Sequence, residues 1–163
     1  MNTNSELKSL IWDVNESQTD SIELGDDALK QTGSFMAWIK CHFFGVRLPF
    51  ESLAARAESL DTIFANLKFK LAAFKETSWN QLAEEDKQAF RLLCEFVDAL
   101  TMTISILKAT QAKYFSASQG QRSLSFREVR MDSKQYNESM RRYLEVAGRL
   151  QPHSNRIFEE NRT

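Results

Sequence analysis

The segment from Phe50 to Phe74 constrains the fold more than any other. Phe50, Leu53, Ala57, Leu60, Phe64, Leu67, Leu71 and Phe74 follow one another at alternating spacings of three and four. The chain is 42% apolar, so eight hits in eight positions arise by chance on the order of once in a thousand per register. That repeat puts all eight on one side of an α-helix, as a stripe for shallow-angle packing against other helices. Arg56, Glu58, Lys68, Lys70 and Lys75 are assigned to the opposite face. The rest of the chain must cover the stripe, and an all-α bundle is the expected fold.

Three further helices complete it. Residues 84–117 carry one stripe of Phe90, Leu93, Val97, Leu100, Ile104, Leu107, Gln111 and Tyr114, and a second of Ala89, Leu92, Phe96, Ala99, Met102 and Ile106. Two apolar sides mark a central helix, about 50 Å long at the usual rise. Residues 26–44 read as a first helix, with Asp26 or Asp27 as cap and Leu29, Met36, Ile39 and Phe43 on its stripe. Gly45 ends it and Pro49 opens the next helix. Asp132 is the expected cap of a last helix over 133–150, whose stripe is Tyr136, Met140, Tyr143, Ala147 and Leu150. Gln151-Pro152 is its expected stop. Ser78 with Gln81 fits a capping box, and Glu84-Glu85-Asp86 offers a second start. Segment 118–131 stays open between loop, short strand and helical entry.

The expected architecture is a four-helix up-down bundle with a long central third helix. Its divisions are an acidic arm over 1–25 holding one short helix near Leu7–Trp12, a bundle over 26–150 and a polar tail over 151–163. The arm and tail are expected to be flexible. Five Gly and two Pro are too few for an all-β chain of 163 residues, and twelve Phe with three Trp are too many for a disordered one. Two Cys make no disulfide framework. No basic, apolar leader and no run of about 18 apolar residues occurs, so a soluble cytoplasmic protein is expected.

The net charge of −1 hides an uneven distribution. Residues 1–27 carry a net −6, residues 28–107 are neutral and residues 108–163 carry a net +5. The acidic segment is expected to pack near the basic last helix, or the two serve different partners. Whole-chain neutrality argues against nucleic acid as the main partner.

Reactive sites are the next candidates. Glu58 and Asp61, and Glu95 and Asp98, are carboxylate pairs at i, i+3 on neighbouring helices. Antiparallel packing could gather all four around Mg²⁺, a hard cation that takes oxygen ligands. Glu95-Phe96-Val97-Asp98-Ala99-Leu100 resembles the second carboxylate motif of all-α nucleoside triphosphate pyrophosphatases and dimeric dUTPases. Those families pair it with Glu-x-x-Glu, where this chain has Glu-x-x-Asp at 58–61. The resemblance implies an alternative function as a Mg²⁺-dependent pyrophosphatase. Cys41, His42, Cys94 and His153 lack the short paired spacings of a zinc site, and Cys41 and Cys94 read as small core residues. Trp79-x-x-Leu82-x-Glu84-Glu85-Asp86-Lys87-x-x-Phe90 is similar to a stretch of HMG-box domains. Its neutral surroundings fit shared capping chemistry better than a minor-groove binder. No cofactor is expected.

The remaining reading is a non-catalytic protein that works by binding another protein, as adaptor, inhibitor, immunity protein or chaperone. Its candidate contact residues are Arg130, Arg141, Arg142, Arg149 and Tyr136 on the last helix and Trp38 on the aromatic edge of the first. The expected partner is an acidic protein or a second copy. Arginine outnumbers lysine eight to three over residues 108–163. Its forked guanidinium suits carboxylate or phosphate, so RNA binding by this segment is a further alternative.

Overall fold

The computed structural model describes residues 3–31 and 49–159, apart from the Leu29 side chain. They form four long helices: α1 (Thr3–Gln31), α2 (Phe50–Ser78), α3 (Glu84–Ser118) and α4 (Phe126–Glu159). A single 3₁₀ turn, Trp79–Gln81, joins α2 to α3. No strand occurs among the described residues. None of these helices is long and apolar enough to cross a membrane.

The α2 stripe is the floor of the core. All eight of its residues are buried, from Phe50 to Phe74. The main stripe of α3 is buried along its whole length, and α3 lies against α1, α2 and α4. Its second stripe is buried at Ala89, Leu92, Phe96 and Ala99, while Met102 is half exposed near the far end. Phe74 and Phe90 pack across the α2–α3 corner at 5.2 Å, with Trp79 edge-on to Phe90 at 5.9 Å. At the other end Phe50, Tyr114, Leu124 and Val129 form a second, smaller core.

The first helix is not where the sequence reading placed it. The segment set apart as an acidic arm is α1, and Asp26 and Asp27 lie in its last turns rather than at a helix start. The remainder of the expected 26–44 helix, residues 32–44, lies outside the described residues. Leu7, Leu10, Val14, Ser17, Ser21, Leu24 and Ala28 make a heptad stripe, and every one is buried. Ser17 and Ser21 disguise it. Their hydroxyls are satisfied inside the helix by the Asp13 and Ser17 carbonyls, at 2.9 and 2.7 Å. Small residues here admit bulky ones from α4. Gly25 is buried against Tyr136, and a Cβ there would fall inside the van der Waals radius of the Tyr136 hydroxyl.

The last helix starts earlier and ends later than Asp132 and Pro152 suggested. Ser125 and Glu128 form a reciprocal capping box. The Ser125 N–H donates to Glu128 at 2.8 Å, and the Glu128 N–H donates to the Ser125 hydroxyl at 3.2 Å. This box settles the N-terminus at Phe126. Asp132 is instead inside the helix and pairs with Lys113 of α3. Pro152 removes one backbone donor, yet the helix continues through it. Ile157 is buried beyond it, and Arg156 donates to Asp86 at 2.5 Å and approaches Glu85 at 3.5 Å. These contacts anchor residues 151–159, the first part of the expected tail, against the start of α3. The Ser78–Gln81 capping box does not form. Ser78 donates to Glu6 of α1 at 3.3 Å, and α3 opens at Glu84.

Candidate functional site

The four carboxylates of the pyrophosphatase-like alternative do not converge. Lys108 draws in Glu58 at 2.5 Å and Asp61 at 2.9 Å. Asp98 pairs with Lys68 at 2.7 Å, and Glu95 with Arg149 at 3.2 Å. Three different cations therefore neutralise them. Among the described residues, no three His, Cys, Asp or Glu side chains gather as a metal site would need. The Mg²⁺ reading is corrected on this ground: shared negative charge is what attracts a hard cation, and here each carboxylate is already paired with a base. The two carboxylates on Lys108 hold its amine above the ordinary lysine value through their hydrogen bonds.

Thiol chemistry fares no better. Cys41 and His42 lie outside the described residues. Cys94 is partly buried and packs against the core, and burial pushes its thiol up to about 11. A thiol of that kind is almost wholly protonated at neutral pH and is a poor nucleophile. A groove of about 510 Å³ runs between α1 and α4, lined in part by Asn15, Gln18, Gln151 and Asn155. Its lining holds amides and apolar groups but no ionisable side chain, so it offers no acid or base.

The acidic segment packs against the last helix as expected, through Gly25–Tyr136 and Gln18–Tyr143, but its charge is balanced elsewhere. The acids on one flank of α1 meet bases of α2, not of the last helix: Asp13 pairs with Lys70 at 2.6 Å and Asp27 with Arg56 at 2.7 Å. The last helix is left with an excess. Arg122, Arg149 and Arg156 are held by Glu128, Glu95 and the Asp86–Glu85 pair. Lys8 lies over Phe158, and Lys75, Lys87 and Arg91 surround Trp79 at 5.2–6.0 Å from its centroid. Among the described residues, each lysine and arginine has an acid or an aromatic ring in contact, with four exceptions. These are Arg127, Arg130, Arg141 and Arg142, all exposed and all on α4.

Arg127, Arg130, Lys134 and Arg141 recur at spacings of three, four and seven, which places them along one outer face of α4. The row extends about 21 Å at the usual rise. Lys134 has a single loose partner, Glu138 at 3.9 Å. Met131 beside the row is 61% exposed and Leu144 58%. Arg142 is exposed on the flank toward α3.

The sequence-derived contact set is therefore split. Arg130, Arg141 and Arg142 are on this surface and unpaired, while Arg149 is engaged by Glu95. Tyr136 is corrected: it is 6% exposed, part of the core against Gly25, because its position falls on the inward heptad stripe. Trp38 lies outside the described residues. Sequence reasoning misses Lys134, which the three-four-seven spacing with Arg127, Arg130 and Arg141 marks, and Met131, which lies beside that row without such a signal. No family model, curated protein or solved structure matches the chain.

Proposed function

We propose that the chain is a non-catalytic binding protein, soluble and cytoplasmic, that engages an acidic protein surface on the outer face of α4. The observation that carries this reading is the confinement of the uncompensated arginines to that one face. Arginine is weakly hydrated for a cation and presents a rigid fork to carboxylates, so leaving it unpaired in the free protein favours pairing with a partner. Met131 and Leu144 add apolar contact area, which an interface needs beyond charge. Glu138 and Glu145 fall on the same outer face and interrupt the row. A continuous phosphate backbone would meet them as repulsion, whereas a protein with discrete acids need not. This favours protein over RNA.

The test is quantitative affinity capture of the full chain from its native cell, wild type against Arg141→Glu/Arg142→Glu. A stoichiometric protein partner lost from the variant supports the reading. Retention of every partner by the variant refutes it. RNA as the material lost, with binding that falls steeply as salt rises, replaces it with the RNA reading.

A further inference from the structure

Three acids without an ion-pair partner among the described residues form a row on α1. On α1, Glu16, Asp20 and Glu23 are exposed, and none has a cation within ion-pair distance among the described residues. Asp20 shares the heptad position of Asp13 and Asp27, which pair with α2, and Glu16 and Glu23 lie beside it on the solvent side of α1. Their spacing is four then three. On α4, Arg127, Arg130 and Lys134 are spaced three then four. Read in opposite directions along two antiparallel helices, the two rows coincide: Glu16 opposite Lys134, Asp20 opposite Arg130 and Glu23 opposite Arg127. The offsets along each axis are the same, about 6 Å and 10.5 Å at 1.5 Å per residue. This is the a-against-d layering of an antiparallel heptad pair, with charges in place of apolar knobs.

We infer that the partner of the α4 face is a second copy of this chain, which docks its α1 antiparallel along α4. The inference rests on the proposed role of α4 as a protein-binding surface and names its occupant. Within one chain the two rows cannot meet, because the inner sides of α1 and α4 already pack together through Gly25–Tyr136 and Gln18–Tyr143. The pairing is therefore between molecules. A single such contact leaves one copy with a free basic row and the other with a free acidic row, which a second α1–α4 contact closes in a two-fold pair or a further copy extends. Three exposed ion pairs set register and partner choice more than affinity. The apolar contribution comes from Met131 on α4 and Trp12, which is 58% exposed one turn before Glu16 and comes opposite the Asn137–Arg141 stretch.

Sedimentation velocity on the full chain over a concentration series tests this. The wild type should associate as concentration rises at 50 mM NaCl and revert to monomer at 1 M, where the screening length falls to about 3 Å. Glu16→Lys/Asp20→Lys/Glu23→Lys should be monomeric alone, and so should Arg127→Glu/Arg130→Glu/Lys134→Glu, each with wild-type helicity by circular dichroism. An equimolar mixture of the two variants should associate, since one then carries two basic rows and the other two acidic rows. A monomeric wild type, a self-associating α1 variant or a monomeric mixture each overturns the inference. If the wild type is monomeric but the α4 variant loses a different acidic protein, the second copy alone is refuted and the α4 surface stands.

Discussion

Replacing Gly25 by alanine probes the contact that makes α1 a bundle helix. Glycine inside a helix ordinarily costs about 0.5–1 kcal/mol against alanine, so the change should stabilise an unpacked helix. Here the new methyl would enter the space of the Tyr136 hydroxyl, and the ring carbon that bears it is only 3.0 Å away. Tyr136 is buried, so its ring cannot swing clear without displacing core neighbours. Overpacking of this kind costs about 1–3 kcal/mol. The net expectation is a loss of about 1–2 kcal/mol, read as a lower urea midpoint with an unchanged slope. Tyr136→Phe removes the clashing oxygen. The double variant Gly25→Ala/Tyr136→Phe should therefore recover about 1 kcal/mol relative to the sum of the single changes. A Gly25→Ala variant more stable than wild type, or strictly additive single changes, would show that α1 is not docked on α4 at this point.

Three further outcomes follow from buried groups. In a Cys41→Ser background, Cys94 should react with a thiol reagent at pH 8 about 100-fold more slowly in the folded protein than in urea, because burial raises its pKa from 9.0 to about 11; equal rates would mean the site is open. Burial also raises Tyr136 to about 12 and lifts Tyr114 and Tyr143. The unfolded chain then releases those protons first, so urea stability should fall above pH 10. Tyr136→Phe should flatten the fall by up to about 1.4 kcal/mol per pH unit; a flat profile in the wild type would contradict the burial. Arg156→Ala should lower stability by about 1.5–3 kcal/mol by stranding Asp86, whose side chain is 8% exposed, and hydrogen exchange should accelerate over residues 151–159. Unchanged exchange there would show that the last turns hold by other means.

The parts of the fold that were legible in the sequence are those where one physical signal acts alone. The α2 stripe is uninterrupted and its core-facing residues are apolar, so periodicity reads the buried face directly. The main α3 stripe is nearly as clean, with Gln111 as its one polar member. Legibility fails where small or polar residues serve packing. Gly25 is small so that Tyr136 can approach, Ser17 and Ser21 bury hydroxyls satisfied within their own helix, and a pattern search for large apolar residues passes over all three. It fails again where a local signal is overruled from a distance. Pro152 is a helix terminator by its own chemistry, yet Phe158, Arg156 and Ile157 beyond it reach Lys8 of α1, Asp86 of α3 and the core in turn. Asp132 is a good cap by type, but the reciprocal Ser125–Glu128 box comes first and leaves it to Lys113. The arginines were visible as a count. Which of them are free depends on where Glu95, Glu128 and Asp86 fall in space, and no spacing rule within α4 contains that information.

The proposed role of α4 is tested most directly by a photo-crosslinking residue at Asn137, in the middle of the basic row, compared with one at Thr62 on the outer face of α2. Both positions are exposed. In the native cell, Asn137 should give a discrete protein crosslink that disappears when Arg130, Arg141 and Arg142 are reversed in charge, and Thr62 should give none of that mass. A crosslink of equal yield from Thr62, or one from Asn137 that survives the charge reversal, would contradict the assignment of binding to α4.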